Sequence, residues 1–151
     1  MIPQIEELNE LFQRDLERLE SELQQISDDK LWETMPGAVN SVGVLTQHIV
    51  GNLNHFIGTA LGKTDYIRDR EREFTQTGVT ISDLINHVDN TSKMINKVLV
   101  ELDKDKLSDP YPMDIPMNYS IQKFLLHLYG HLNYHLGQAN YLRRNLSEKE
   151  G

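Results

Sequence analysis

The stretch SIQKFLLHLYGHLNYHLGQANYLRR, residues 120–144, decides the fold. Ile121, Phe124, Leu128, Leu132, Ala139 and Leu142 recur at helical spacing, which predicts one amphipathic helix over Ser120–Arg144. Arg143 and Arg144 suit the negative end of its dipole. The same run places His127, His131 and His135 four residues apart. On a wheel at about 100° per residue, His135 sits roughly 30° from the centre of the apolar stripe and His131 roughly 70°, while His127 lies beyond about 100°. The first two therefore face the interior, and the third falls at the edge. Side chains at i and i+4 lie one above the other, so His131 and His135 can aim ring nitrogens at one ion.

Three more segments upstream carry the same periodicity. From Ile5 to Ile26 the apolar positions are Ile5, Leu8, Phe12, Leu16, Leu19, Leu23 and Ile26, with acids between them. Residues 27–41 hold an acidic start, the only Trp and Pro36-Gly37, which predicts a short helical turn and then a loop. Ser41 to Leu61 reads as the second helix, with Leu45, Ile49, Leu53, Phe56 and Ala60 inward and Gly62 as its C-cap. Residues 63–79 form a long, charged connection, after which Thr80 to Asp83 resembles a capping box that opens a third helix along Ile81, Leu84, Val88, Ile95, Val98 and Leu102. Residues 103–119 contain Pro110, Pro112 and Pro116 and must be a loop, because proline breaks helical hydrogen bonding. Four long one-sided helices and no alternating strand pattern predict an all-α protein, a four-helix bundle. The only low-complexity sequence is the tail, SEKEG.

A chain of 151 residues fits a single domain, residues 1–151, able to bury a core without staples. There is no cysteine, so disulfides, thiolate metal sites and a cysteine nucleophile are excluded. Any thiol chemistry must come from a bound molecule. The start, MIPQIEELNE, lacks the basic and apolar regions of a signal peptide, and no apolar run approaches the roughly 18 residues of a membrane span, so we expect a cytoplasmic protein with no membrane partner. With 23 acids against 15 bases, the net charge of −8 repels a phosphate backbone and argues against nucleic acid. The densest charged cluster, Lys63 to Glu73, carries four bases and four acids and reads as a solvated loop or a helix surface laced with ion pairs.

A metal needs a third ligand, and His48 lies on the apolar side of the second helix between Leu45 and Ile49, with Asn52 and His55 continuing its line. If the second and fourth helices run antiparallel, the levels of His48 and His135 nearly match at about 1.5 Å per residue. Taken singly, His55, His87 and His127 read as core or rim residues bonded to a neighbour. Three histidines converging in one interior are different, since each buried imidazole needs partners for two nitrogens. Spacing alone leaves a His-rich metal site and a set of core histidines equally open. HExxH is absent, so a metalloprotease of that kind has no support.

Beyond these patterns, NSVGVLTQHIVGN (40–52) and GHLNYHLGQANYLRR (130–144) resemble the DinB/YfiT-like superfamily of bacterial four-helix proteins, and ELNELFQRDLERLESEL and DDKLW fit its first part. In that superfamily a histidine midway along the second helix joins two histidines of an HxxxH-x-GQ pattern on the fourth. The resemblance implies His48, His131 and His135 as metal ligands, with Gly137 and Gln138 as the GQ pair. It also implies an up-down-down-up bundle with a long crossover after helix two. Residues 63–79, at roughly 3.3 Å each when extended, can span that return.

Three neutral imidazoles suit zinc, nickel or iron and leave positions open for water or substrate. Such an ion lowers the pKa of a bound water or thiol and prepares a nucleophile. The resemblance implies two enzymatic activities on a small-molecule substrate: a thiol-dependent S-transferase with a low-molecular-weight thiol as cosubstrate, or a metal-dependent hydrolase. A third reading is a non-catalytic, stress-associated metal-binding bundle. A homodimer is a further implication. Gln138 reads either as a group orienting a ligand or as a helix–helix hydrogen bond. His55 is the nearest candidate base by stripe, against a stronger reading as a core or rim residue, and Tyr134 and Tyr141 read as packing residues.

Overall fold

The computed structural model describes residues 3–148. It is all-helical, and among the described residues there is no strand, only isolated bridges at Met35–Ala38 and Pro110–Ser120. The elements are α1 (Pro3–Gln25), α2 (Val42–Leu53) continuing through a π-helical segment (Asn54–Thr59) into α3 (Ala60–Gly62), α4 (Arg70–Thr75), α5 (Ile81–Glu101), a 3₁₀ turn (Lys104–Lys106) and α6 (Ile121–Glu148). No described helix is long and apolar enough to cross a membrane.

The caps explain where these helices start. The Oγ of Ser41 accepts from the Val44 N–H at 3.1 Å, Thr80 from Asp83 at 3.0 Å and Ser120 from Lys123 at 3.1 Å, each satisfying an otherwise orphaned donor. Of the expected capping box at Thr80, the bond from the Asp83 N–H to the Thr80 side chain is present. The ends differ more from expectation. Gly62 is not the left-handed cap, because Lys63 takes that conformation at φ 56°. Gly62 is small for another reason: a Cβ there would lie 2.5 Å from Val98 Cγ2, so glycine lets α5 approach. The last helix does not stop at Arg144 but runs to Glu148, carried by Leu146, which is wholly buried. Of the tail SEKEG, Ser147 and Glu148 are thus helical, and residues 149–151 lie outside the described residues.

The long helices pair in definite directions. Asn9 bonds Asn96 and Gln13 bonds Ser92, so α1 and α5 are antiparallel. Asp15 meets Tyr129 and Glu22 meets Asn140, so α1 and α6 are parallel. Asn54 bonds Thr91 and Gly62 abuts Val98, which makes α2 parallel to α5. Along α6, His131 faces His48 while Phe124 faces Phe56, which makes α2 and α6 antiparallel, the pairing that the levels of the histidines favour.

The core follows the predicted stripes, with Ile5, Leu8, Phe12, Leu16, Leu19 and Leu23 of α1 all buried. One shift occurs on α2. The π-helical turn, in which the Ala60 N–H bonds the His55 carbonyl, puts Ile57 fully in the core and leaves Phe56 half-buried. Phe56 then stands edge-on to Phe124 at 5.3 Å with the Arg68 guanidinium 5.6 Å from its ring centre. The Tyr111 hydroxyl donates to the Phe56 carbonyl at 2.5 Å, tying the 103–119 loop to this turn. π-helical turns are rare and are frequent at functional sites.

Candidate metal centre

Two antiparallel helices bring three imidazoles to one point. His48 of α2 and His131 and His135 of α6 offer ligand atoms that all lie within 4.8 Å of one another. The Nε2 of His131 is 3.2 Å from that of His48 and 3.1 Å from that of His135. Two nitrogens bound at about 2.0–2.1 Å to one tetrahedral ion stand about 3.3 Å apart, so this spacing already approximates a ligand set.

The far side of two rings says which nitrogen carries the proton. The Nδ1 of His48 lies 3.1 Å from Glu73 Oε1, and a carboxylate only accepts, so that Nδ1 donates and the Nε2 lone pair is free. The Nδ1 of His135 lies 2.7 Å from Gln138 Oε1, giving the same tautomer. Two lone pairs thus converge on the Nε2 of His131, which in its neutral form satisfies at most one of them. A cation satisfies all three. The donor set therefore fits a borderline divalent metal, with the hydrogen-bonded shell such ligands require.

Charge and burial work in the same direction. Burial, followed by the neighbouring His135 and His48, pushes His131 down to about 4, so it is neutral at pH 7. Burial also lowers His135, against an opposing contribution from Gln138. For Glu73, burial favours the neutral acid, yet hydrogen bonds with His48 and Arg68 outweigh it and hold the carboxyl below its ordinary value. Arg68 grips both Glu73 oxygens, Nε to Oε2 at 2.8 Å and Nη2 to Oε1 at 3.0 Å. The carboxylate is thus paired and 7% exposed, while His131 and His135 are half-buried.

Glu73 comes from the short helix α4, capped by Asp69, inside a stretch the sequence reads as a solvated loop or a helix surface laced with ion pairs. The ion-paired helix is the reading that fits, with one difference: Glu73 is buried, and its charge pairs with Arg68 and His48 rather than at a solvated surface. Gly51 permits the approach: a Cβ there would lie 1.9 Å from Glu73 Oε2. A glycine inside a helix, three residues after His48, was the one signal of a close neighbour.

The other candidates fall away from the cluster. His127 is exposed and stacked on Phe124, at the edge as expected. His55 is half-buried against Phe56, and His87 is exposed. Gln138 bonds its own helix's His135, not a neighbouring helix. Tyr134 and Tyr141 are not packing residues: each is 66% exposed.

A model of the family described as "Protein of unknown function (DUF1572)" matches residues 3–150. The chain belongs to the DUF1572 family. No curated protein matches it. The crystal structure of a conserved protein from Enterococcus faecalis is similar, with a TM-score of 0.79, 19% identity, and 95% of this chain and 97% of that chain covered. At that identity the likeness establishes a shared fold for this DUF1572 protein.

Proposed function

We propose that this protein is a metal-dependent enzyme of the DinB-like superfamily that transfers a low-molecular-weight thiol to a small electrophile, with His48, His131 and His135 holding zinc, nickel or iron. The carrying observation is the convergence of three Nε2 atoms, two of them stripped of their proton by Glu73 and Gln138. The helix directions support reading α1, α2, α5 and α6 as an up-down-down-up four-helix bundle, the arrangement of that superfamily.

A bound ion supplies Lewis acidity, lowering the pKa of a coordinated thiol. The chain's own residues do the rest. Glu73, anchored by Arg68, fixes the His48 ring and strengthens its lone pair; Gln138 does the same for His135. Half-burial of His131 and His135 leaves a side of the cluster open to an incoming sulfur. Because the chain has no cysteine, the sulfur belongs to the cosubstrate. Its proton leaves to solvent, the sulfur bonds the electrophilic carbon, and the leaving group departs with its electron pair.

Metal-loaded protein should consume thiol in the presence of an electrophile, and His48→Ala should abolish this with little loss of helical signal. Unimpaired consumption in His48→Ala would remove His48 from the mechanism. A protein that binds metal but shows no turnover, and in which His131→Ala only lowers stability, would be the non-catalytic bundle.

A further inference from the structure

One helical turn beyond the histidines, the groove between α2 and α6 opens into a cavity of about 510 Å³, closed on its far side by the 35–40 loop. Its position follows from the antiparallel pairing. Leu45 precedes His48 by three residues on α2, and Gln138, Tyr141 and Leu142 follow His135 by three, six and seven on α6. Gln138 belongs to both places, lining the cavity while its Oε1 holds His135 Nδ1 at 2.7 Å.

The lining has an unusual chemistry for this chain. A quarter of all residues are charged, yet no charged residue lines this cavity. Its polar groups are side-chain amides and a phenol, on Asn40, Gln138, Asn145 and Tyr141. Two large side chains at the rim stay in water: Val39 is 88% exposed and Tyr141 66%. Small-molecule sites are concave, mostly apolar and about 300–1,000 Å³, with a few polar groups to set orientation. An uncharged wall excludes ions by leaving them unpaired, and apolar rim groups gain by being covered.

We infer that this cavity binds the body of the electrophilic substrate, an uncharged molecule with an apolar or aromatic group, and presents its reactive end past Gln138 to the histidine cluster. The substrate role rests on the proposed function; the binding site does not. The Pro36-Gly37 turn shapes the far wall: the Ala38 N–H bonds the Met35 carbonyl at 2.9 Å, and Gly37 sits at φ 84°, which an L side chain rarely adopts.

The test uses the neutral fluorescent probe N-phenyl-1-naphthylamine with full-length protein loaded with zinc or with copper(II). Wild type should bind the probe, and Val39→Glu and Tyr141→Glu should each weaken binding at least ten-fold while melting temperature and zinc content stay at the wild-type level. Both positions are exposed, so the variants fold. Relaxation of the probe's protons should be faster in the copper protein than in the zinc protein, because the cavity adjoins the metal. Binding within two-fold of wild type in both variants, or equal relaxation with the two metals, overturns the assignment. Failure of the metal reading shows separately, as protein that takes up no zinc, and it removes the substrate role whatever the probe does.

Discussion

Glu73→Gln keeps the size of the side chain and removes the charge that His48 and Arg68 share. An amide can still meet Nδ1, but it no longer enforces the tautomer or enriches the ring. Losing such a partner of a ligand histidine typically costs 10–100-fold in metal affinity. We expect that loss for zinc, read by competition with a chromophoric chelator. Gly51→Ala should reproduce it by a different route, since its Cβ would displace the carboxylate from 1.9 Å. Wild-type affinity in both variants would reduce Glu73 to a structural ion pair. The three histidines were legible because helical periodicity places residues on faces without any knowledge of the partner. Glu73 was not. It lies 25 residues from His48 across a connection with no strong pattern, so only the tertiary fold brings the two together.

At the scale of elements, α1 and α6 are joined by polar groups that no hydrophobic stripe reveals. Asp15 is wholly buried and accepts from Arg14 at 2.9 Å, Arg18 at 3.1 Å and the Tyr129 hydroxyl at 2.5 Å, two residues from His131. Burial alone would raise this carboxyl, but the hydrogen bonds from Arg14, Tyr129 and Asn133 outweigh it and hold its pKa below the ordinary value of 3.8. A depressed folded-state pKa contributes stability that is whole above 3.8 and lost as the pH falls through the folded value. Asp15→Asn should therefore cost about 1.5–3 kcal/mol in urea unfolding at pH 7, the range for hydrogen bonds to a charged group. The gap from wild type should narrow as the pH drops below 3.8. A gap that holds constant with pH would mean that the carboxylate's charge does not matter. The π-helical turn in α2 was hidden for a related reason. Steps of three and four fit Phe56 and Ile57 equally well, and a hydrogen bond spanning five residues leaves no mark on that pattern.

At the scale of the whole molecule, the four stripes gave the all-helical class and the inward faces of the long helices, but not the short helix α4, and the direction of each helix came only with the contacts between them. The two connections flanking α5 are similar in length, 17 residues each for 63–79 and 103–119, so length could not choose between topologies. The ledger of burial was easier, because stripes add up to a core that closes without any ion: leucine, isoleucine, valine and aromatic side chains from every long helix form one continuous cluster.

That core sets the last expectation, since apolar side chains of α2 and α6 belong to the same cluster. Metal-free protein should keep its helical signal and melt cooperatively, unlike small domains whose folding is their metal binding. Zinc at about 100 times its dissociation constant should then add about 2.7 kcal/mol, because it binds the assembled histidines and not the unfolded chain. For a chain of this length about 1 kcal/mol moves the melting temperature by about 2–4 °C, so the rise should be roughly 5–11 °C. A chelator should reverse it, and the His131→Ala/His135→Ala double variant should melt at one temperature with or without zinc. The paired comparison by calorimetry separates two causes of a change in stability. A fall in the variant's metal-free melting temperature reports packing lost from α6, and only the zinc-dependent increment reports the site. If wild type gains nothing from zinc, nickel or iron, the three rings are polar core residues and the proposed chemistry has no seat.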